Sequence, residues 1–301
     1  MTATLERLRE LRQQAGTVAP LPPIGTGPLT TEAAPDAVPR SEVPEHIRRL
    51  LGLRERVRLP RLAPPSRLLH PDRHVPGELL EDGLHYVEQL TPWADIPPSI
   101  DATFARLGEF RREQLLHFDT ETTGLAGGTG TRAFMIGVAD WQPGGLRLRQ
   151  LTITTMAAEA GMLRRFAQWL GPDTVLVSYN GKCYDAPLLN TRFRLARLPS
   201  PLPGLPHLDL LHPSRRRWKG RWENCRLGTI ERQVLSVVRE DDLPGSEAPR
   251  AWLDYLRGGS ARDLRRVTEH NAQDLRSLAA LCLHLATLAP QEGLGDGSLG
   301  A

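Results

Sequence analysis

The chain of 301 residues is 40% hydrophobic and 24% charged with a formal net charge of +3, the balance of an ordinary globular protein with room for one large domain and appendages. No run of about 18 apolar residues occurs, and the charged stretch 1–12 lacks the apolar centre of a signal peptide, so a cytoplasmic protein is expected. Three distant cysteines, Cys183, Cys225 and Cys282, without a Cys-x-x-Cys pair, argue against a zinc site or a disulfide framework.

Residues 1–70 contain ten prolines and no Phe, Trp or Tyr. Such a segment cannot bury enough apolar surface to offset the entropy of ordering it, so flexibility is expected, with helical islands at 5–12 and 44–54. Residues 71–110 read as a transition in which 77–88 is patterned as a short hairpin. A packed domain is expected over 111–290, followed by a flexible tail at 291–301. Within it the apolar stretch 115–118 reads as a strand, followed by strands at 133–139 and 146–153. A helix at 159–170, a strand at 174–179, a helix at 186–197 and a strand at 207–211 come next. Helices at 227–238, 249–256 and 261–288 complete the pattern. Three meandering strands followed by strand–helix alternation predict an α/β fold with a mixed five-stranded sheet flanked by helices.

Chemistry concentrates at three places. Asp119 and Glu121 stand two apart at the end of a strand, so their carboxylates project from one face. Asp185 follows the buried strand 174–179 and the loop Asn180-Gly-Lys182, and opens a helix with Pro187 in its first turn; an N-cap is its simplest role. His270 and Asp274 lie four apart, on one face of the final helix. Clustered carboxylates repel, and hard oxygen donors select Mg²⁺ or Mn²⁺. Two such ions about 4 Å apart suit phosphodiester cleavage, and a histidine supplies a base near physiological pH.

These stretches carry a resemblance. Phe118-Asp-Thr-Glu-Thr-Thr-Gly-Leu125, Ser178-Tyr-Asn-Gly-Lys-Cys-Tyr-Asp185, His207-Leu-Asp-Leu-Leu-His212 and Glu269-His-Asn-Ala-Gln-Asp274 resemble the motifs of the DEDD 3′→5′ exonuclease superfamily. Within that superfamily the chain most resembles the bacterial YprB-type ribonuclease-H-like family. The resemblance covers about residues 113–288 and implies a ribonuclease-H-like fold, with two divalent ions held by Asp119, Glu121, Asp185 and Asp274. By the same resemblance Asp119 bridges both ions, Glu121 and Asp274 hold the ion on the nucleophile side, and Asp185 contacts the other. One feature departs from the family pattern, which has His-x4-Asp or Tyr-x3-Asp in its third motif, whereas this chain has His270-x3-Asp274. His270 is then a general base, or a group that orients water or binds a phosphate.

Between 190 and 239 the chain has eleven Arg or Lys against three Asp or Glu, an excess that suggests a polyanionic partner. Arg215, Arg216, Arg217, Lys219 and Arg221 interleave with Trp218 and Trp222, a mixture that serves phosphates and stacked bases as well as it serves a solvated loop. Asn180 and Lys182, in the loop beside Asp185, are expected to contact nucleic acid too. Asp209 reads as a structural strand-end carboxylate. The expected activity is trimming of single-stranded 3′ ends of DNA or RNA. A structure-specific endonuclease and an inactive nucleic-acid-binding module are the alternatives.

Overall fold

The computed structural model describes residues 72–124 and 129–288; the expectations for 1–70 and for 291–301 fall outside the described residues. The apolar stretch at 115–118 extends through both carboxylates as β5 (Leu115–Thr122). On one side of β5 runs β6 (Ala133–Gln142), antiparallel, and beyond it β7 (Gly145–Ile153). On its other side lie β8 (Val175–Ser178) and then β9 (His207–Asp209), both parallel. Thus β5 is the strand at which the sheet changes from antiparallel to parallel pairing.

The sheet has seven strands rather than the five expected. The hairpin patterned at 77–88 is formed by β1 (Glu78–Glu81) and β2 (Leu84–Pro92). β2 pairs along its whole length with β7, from Leu84 opposite Ile153 to Pro92 opposite Gly145. The sheet order is therefore β1-β2-β7-β6-β5-β8-β9. The alternation in 146–153 suggests a half-exposed strand, but β7 is buried on both faces, with Leu146 and Leu148 in one core and Leu151 and Ile153 in the other. Nor does alternation say which strand will cover its far edge. A separate two-stranded ribbon joins β3 (Ser99–Asp101) to β4 (Glu109–Arg111).

Helices cover both faces, as binary patterning requires. On one face α1 (Glu159–Ala167) and α2 (Asp185–Leu195) bury Met162, Leu163, Phe166, Leu188, Leu189 and Phe193 against Leu116, Phe118, Ile136 and Val138. On the other, the long α6 (Arg262–Leu288) sets Leu275, Leu278 and Leu281 against Leu115, Ala139, Leu148 and Val177. The basic stretch after β9 forms a helix, α3 (Leu211–Trp218), rather than a loop. The expected helix at 227–238 is shorter: α4 (Leu227–Ile230) passes into a π-helical turn over Glu231–Leu235, which stops at Ser236 in the left-handed region with φ 56°. α5 (Ala248–Leu256) then leads into α6. Among the described residues no helix is long and apolar enough to cross a membrane.

α5 is anchored by Trp252, whose ring stacks on Phe134 with centroids 5.2 Å apart and whose Nε1 donates to the Ile153 carbonyl at 2.7 Å. Trp252→Ala removes a fully buried ring and the indole donor to that carbonyl. It is expected to cost about 3–5 kcal/mol in urea denaturation; a loss below about 1 kcal/mol would contradict this anchoring.

Candidate active site

β8 pairs with β5 only from Leu115 to His117, so the remainder of β5 runs past the end of its parallel neighbour. The register with β6 also shifts between Glu121 and Thr122, a bulge of the kind that re-aims side chains beside active sites. Asp119 and Glu121 therefore emerge together at an open end of the sheet, on the face covered by α6. Thr120, between them, points the opposite way and donates its hydroxyl to Asp185.

Asp185 is the first residue of α2, and the cap position belongs to Tyr184, so the expected N-cap role is not the one its side chain fills. Its approach is set by the loop before it. Asp209 accepts from the backbone N–H of Asn180 at 2.8 Å and of Lys182 at 3.1 Å, and from that of Leu211 at 3.1 Å. The structural role expected of Asp209 is thus to fold the second-motif loop. Asn180 takes the left-handed conformation with φ 68°, and its side chain is exposed, as is that of Lys182. Tyr184 donates to the Gly124 carbonyl at 2.6 Å and lies 3.2 Å from the Thr122 hydroxyl, tying α2 to the turn after β5.

The third element is α6. Asn271, fully buried, donates from Nδ2 to Asp119 Oδ2 at 2.9 Å and accepts at Oδ1 from Gln150 at 2.9 Å. Gly137, directly across from Asp119 on β6, makes this possible: a Cβ there would sit 2.0 Å from the Asn271 oxygen. The relay Gln150–Asn271–Asp119 escapes a motif reading because its members come from three elements, although a glycine in an otherwise apolar central strand is a legible sign of close approach.

One turn along, the His270 Nε2 lies 3.6 Å from Asp274 Oδ2. The His270 Nδ1 lies 2.8 Å from Asp242 Oδ1 and 3.0 Å from Arg239 Nη1. Arg239 donates to Asp274 through Nη2 and to both oxygens of Glu231, at 2.5 and 2.8 Å. Neither Arg239 nor Asp242 carries a motif signal. Asp119, Glu121, His270 and Asp274 line one cavity of about 160 Å³, together with Thr122, Tyr184, Gly245 and Pro249.

A family model described as the RNase_H superfamily matches residues 116–286, which is more than half of the chain. The chain belongs to the ribonuclease H superfamily. Over 179 residues, 59% of the chain, it is 36% identical to the uncharacterized protein YprB of Bacillus subtilis (strain 168); the match covers 43% of that protein, so the chain spans less than half of this relative's length. A solved structure of the family B DNA polymerase from the hyperthermophilic archaeon Pyrobaculum calidifontis is similar over 58% of the chain and 24% of the polymerase, at 18% identity and a TM-score of 0.46.

Members of this superfamily are generally nucleases that use divalent metals, and the electrostatics of the carboxylates here bear on that. Burial, with Asp274, Asp185 and Glu121 nearby, holds the Asp119 carboxyl well above the usual range, against the pull of the Asn271 hydrogen bond. Burial, Asp274, Asp185 and Asp242 do the same to Glu121. Asp185 is pushed up to about 6 by burial, against the Thr120 hydroxyl that favours its ionised form. Burial also raises Asp274, although His270 and Arg239 favour its charge. Excess negative charge in an enclosed, oxygen-only donor set fits Mg²⁺ or Mn²⁺ in chemistry. Among the described residues, however, no three acidic, imidazole or thiol groups are gathered closely enough to hold a metal ion as they stand.

The basic stretch stands apart from this cavity. Arg215, Arg216, Lys219 and Arg221 are exposed on or just after α3, with Arg216 bonded to the Phe104 carbonyl; Arg217 is half-buried. Trp218 is only 6% exposed, its ring lying between Trp222 and His284, so it serves the core and offers no face to a base. Trp222 is half-buried. Two arginines counted in the local excess are engaged internally: Arg192 in a buried pair with Glu159, and Arg239 at Asp274.

A carboxyl whose pKa is raised by folding stabilises the fold in its protonated form. That contribution is complete below the unfolded value of 3.8 and is lost as pH rises through the folded value, about 6 for Asp185. Chelator-treated protein should therefore lose Tm between pH 5 and pH 8. Asp119→Asn, which keeps an acceptor for Asn271, should raise Tm at pH 8 by about 3 °C, and the gap should narrow toward pH 4. A variant less stable than wild type at pH 8 would contradict this electrostatic picture.

Proposed function

We propose that the chain is a metal-dependent 3′→5′ exonuclease that hydrolyses phosphodiester bonds at single-stranded ends of DNA or RNA. The observation that carries this reading is the cavity in which Asp119, Glu121, Asp274 and His270 meet from two elements, with Asp185 bonded to the strand that bears the first pair. Asp119, Glu121, Asp185 and Asp274 would hold the divalent ions. When bound, such ions neutralise the charge that builds up on a phosphodiester during attack by water.

The remaining work falls to the chain's own groups. Asp242, 2.8 Å from His270 Nδ1, favours the hydrogen on that nitrogen over the competing Arg239 donor at 3.0 Å, and the Nε2 lone pair then faces the cavity. Nε2 then takes the proton of the attacking water, the general-base role. Gly245 preserves the approach, because a Cβ there would come within 3.3 Å of Nε2. The shorter motif spacing is thereby accommodated: one helical turn is enough, since Asp242 from another segment orients the ring. Asn271 fixes the Asp119 carboxylate. A cavity of about 160 Å³, bounded by Gly245 and Pro249, favours an unpaired end over an intact duplex. The exposed Arg215, Arg216, Lys219 and Arg221, with Asn180 and Lys182, supply a basic surface for the strand leading to it. The free thiols of Cys183, Cys225 and Cys282 support a reducing, cytoplasmic setting.

Single-stranded DNA and RNA labelled at the 5′ end, incubated with Mn²⁺, test the proposal. A ladder shortening stepwise from the 3′ end is expected, abolished by Asp119→Ala and slowed about 10² to 10⁴-fold by His270→Ala. Internal cuts, or an undiminished ladder with Asp119→Ala, would refute it.

A further inference from the structure

Arg239 is the most heavily engaged side chain near the cavity, and sequence patterning gives it no role. Its side chain is 14% exposed, and its guanidinium faces three acids: Glu231, Asp242 at 3.4 Å, and Asp274. One nitrogen, Nη2, serves both Glu231 and Asp274, whereas Nε bonds Glu231 alone. Glu231 is itself 1% exposed and accepts from Ser277 on α6, so the Arg239–Glu231 fork is the fixed half of the arrangement. The bond to Asp274 is the separable half: releasing it leaves the guanidinium still paired through two nitrogens.

The backbone that carries Arg239 is built to cross the site rather than to pack in the core. It leaves the π-helical turn at Ser236 and bends again at Asp241, both with positive φ, and Val238 between them is 74% exposed. Val237, Val238, Arg239 and Asp242 wall a cleft of about 460 Å³ that also borders His270 and Asp274 and is not lined by Asp119.

We propose that Arg239 is an internal counter-ion that occupies the cation position at Asp274 in the metal-free chain and must release Asp274 before that carboxylate can hold a divalent ion. This rests on the metal-dependent reading above. A monovalent guanidinium neutralises Asp274 where burial would otherwise leave its charge unmatched. A divalent ion at the same carboxylate would face the guanidinium as a like charge, so the two compete. Arg239 then withdraws onto Glu231, which keeps its charge beside the cleft.

Titration calorimetry of Mn²⁺ into the full chain tests this, using wild type, Arg239→Gln, and the double variant Glu231→Gln/Arg239→Gln, which also removes the buried Glu231 carboxylate that the single variant leaves without its partner. Both variants are expected to bind Mn²⁺ about tenfold more tightly than wild type. Equal or weaker binding in the variants, with Mn²⁺ still bound by wild type, overturns the competition and makes Arg239 a support for Asp274. A gain in the single variant but not in the double variant reflects only a change in long-range charge, and also overturns it. No Mn²⁺ binding by any of the three, at concentrations to the millimolar range, overturns the metal-dependent reading and this inference with it.

Discussion

Asp119 and Glu121 sit side by side at the end of a strand that outruns its parallel neighbour, and Asp185 and Asp274 are brought toward them from helices on opposite faces. Water is too scarce there to screen the repulsion, so the folded chain holds these carboxyls above their ordinary range. Much of the surrounding architecture serves to bear that charge. The Thr120 hydroxyl bonds Asp185, the Asn271 amide bonds Asp119, and Arg239 bonds Asp274. Each is a partial compensation, and only Arg239 brings a full opposite charge. Carboxyls that resist ionisation in this way would ionise more readily beside a bound cation, and ligand binding that relieves repulsion also stabilises the fold.

The scaffold makes this tolerable. A seven-stranded sheet with buried strands on both sides of β5 gives little freedom for the carboxylates to swing apart. Asp209 holds the loop before α2 by three backbone N–H groups, and Tyr184 closes the turn after β5. Glu159 pairs with both Arg132 and Arg192, fastening the strand-entry segment of β6 to α1 and α2. The strain of the site is thus opposed by connections in the surrounding shell rather than by the site residues themselves.

Local periodicity made much of this legible. The two-residue spacing of Asp119 and Glu121 on an apolar strand, and the four-residue spacing of His270 and Asp274 on a helix, place side chains correctly because strand and helix geometry are short-range. Whatever depends on distant pairing was not legible. The β1–β2 hairpin could be recognised, but its docking on β7 could not, since a half-apolar strand does not specify its neighbour. Arg239 and Asp242 reach the site through an irregular segment with no periodic signal, and Asn271 matters only because Gly137 lies opposite Asp119. The burial of Trp218 was not legible for a related reason: interleaved arginines and tryptophans look alike on a loop and on a helix that buries one face.

The central claim is that this charge cluster is a cation site, and anomalous diffraction from crystals grown with Mn²⁺ tests it most directly. The account predicts an anomalous peak in contact with an oxygen of Asp119 and of Glu121 or Asp185, with the carboxylates drawn together relative to their metal-free positions. Crystals that show no peak at Asp119 at saturating Mn²⁺, with the carboxylates still apart, would contradict it.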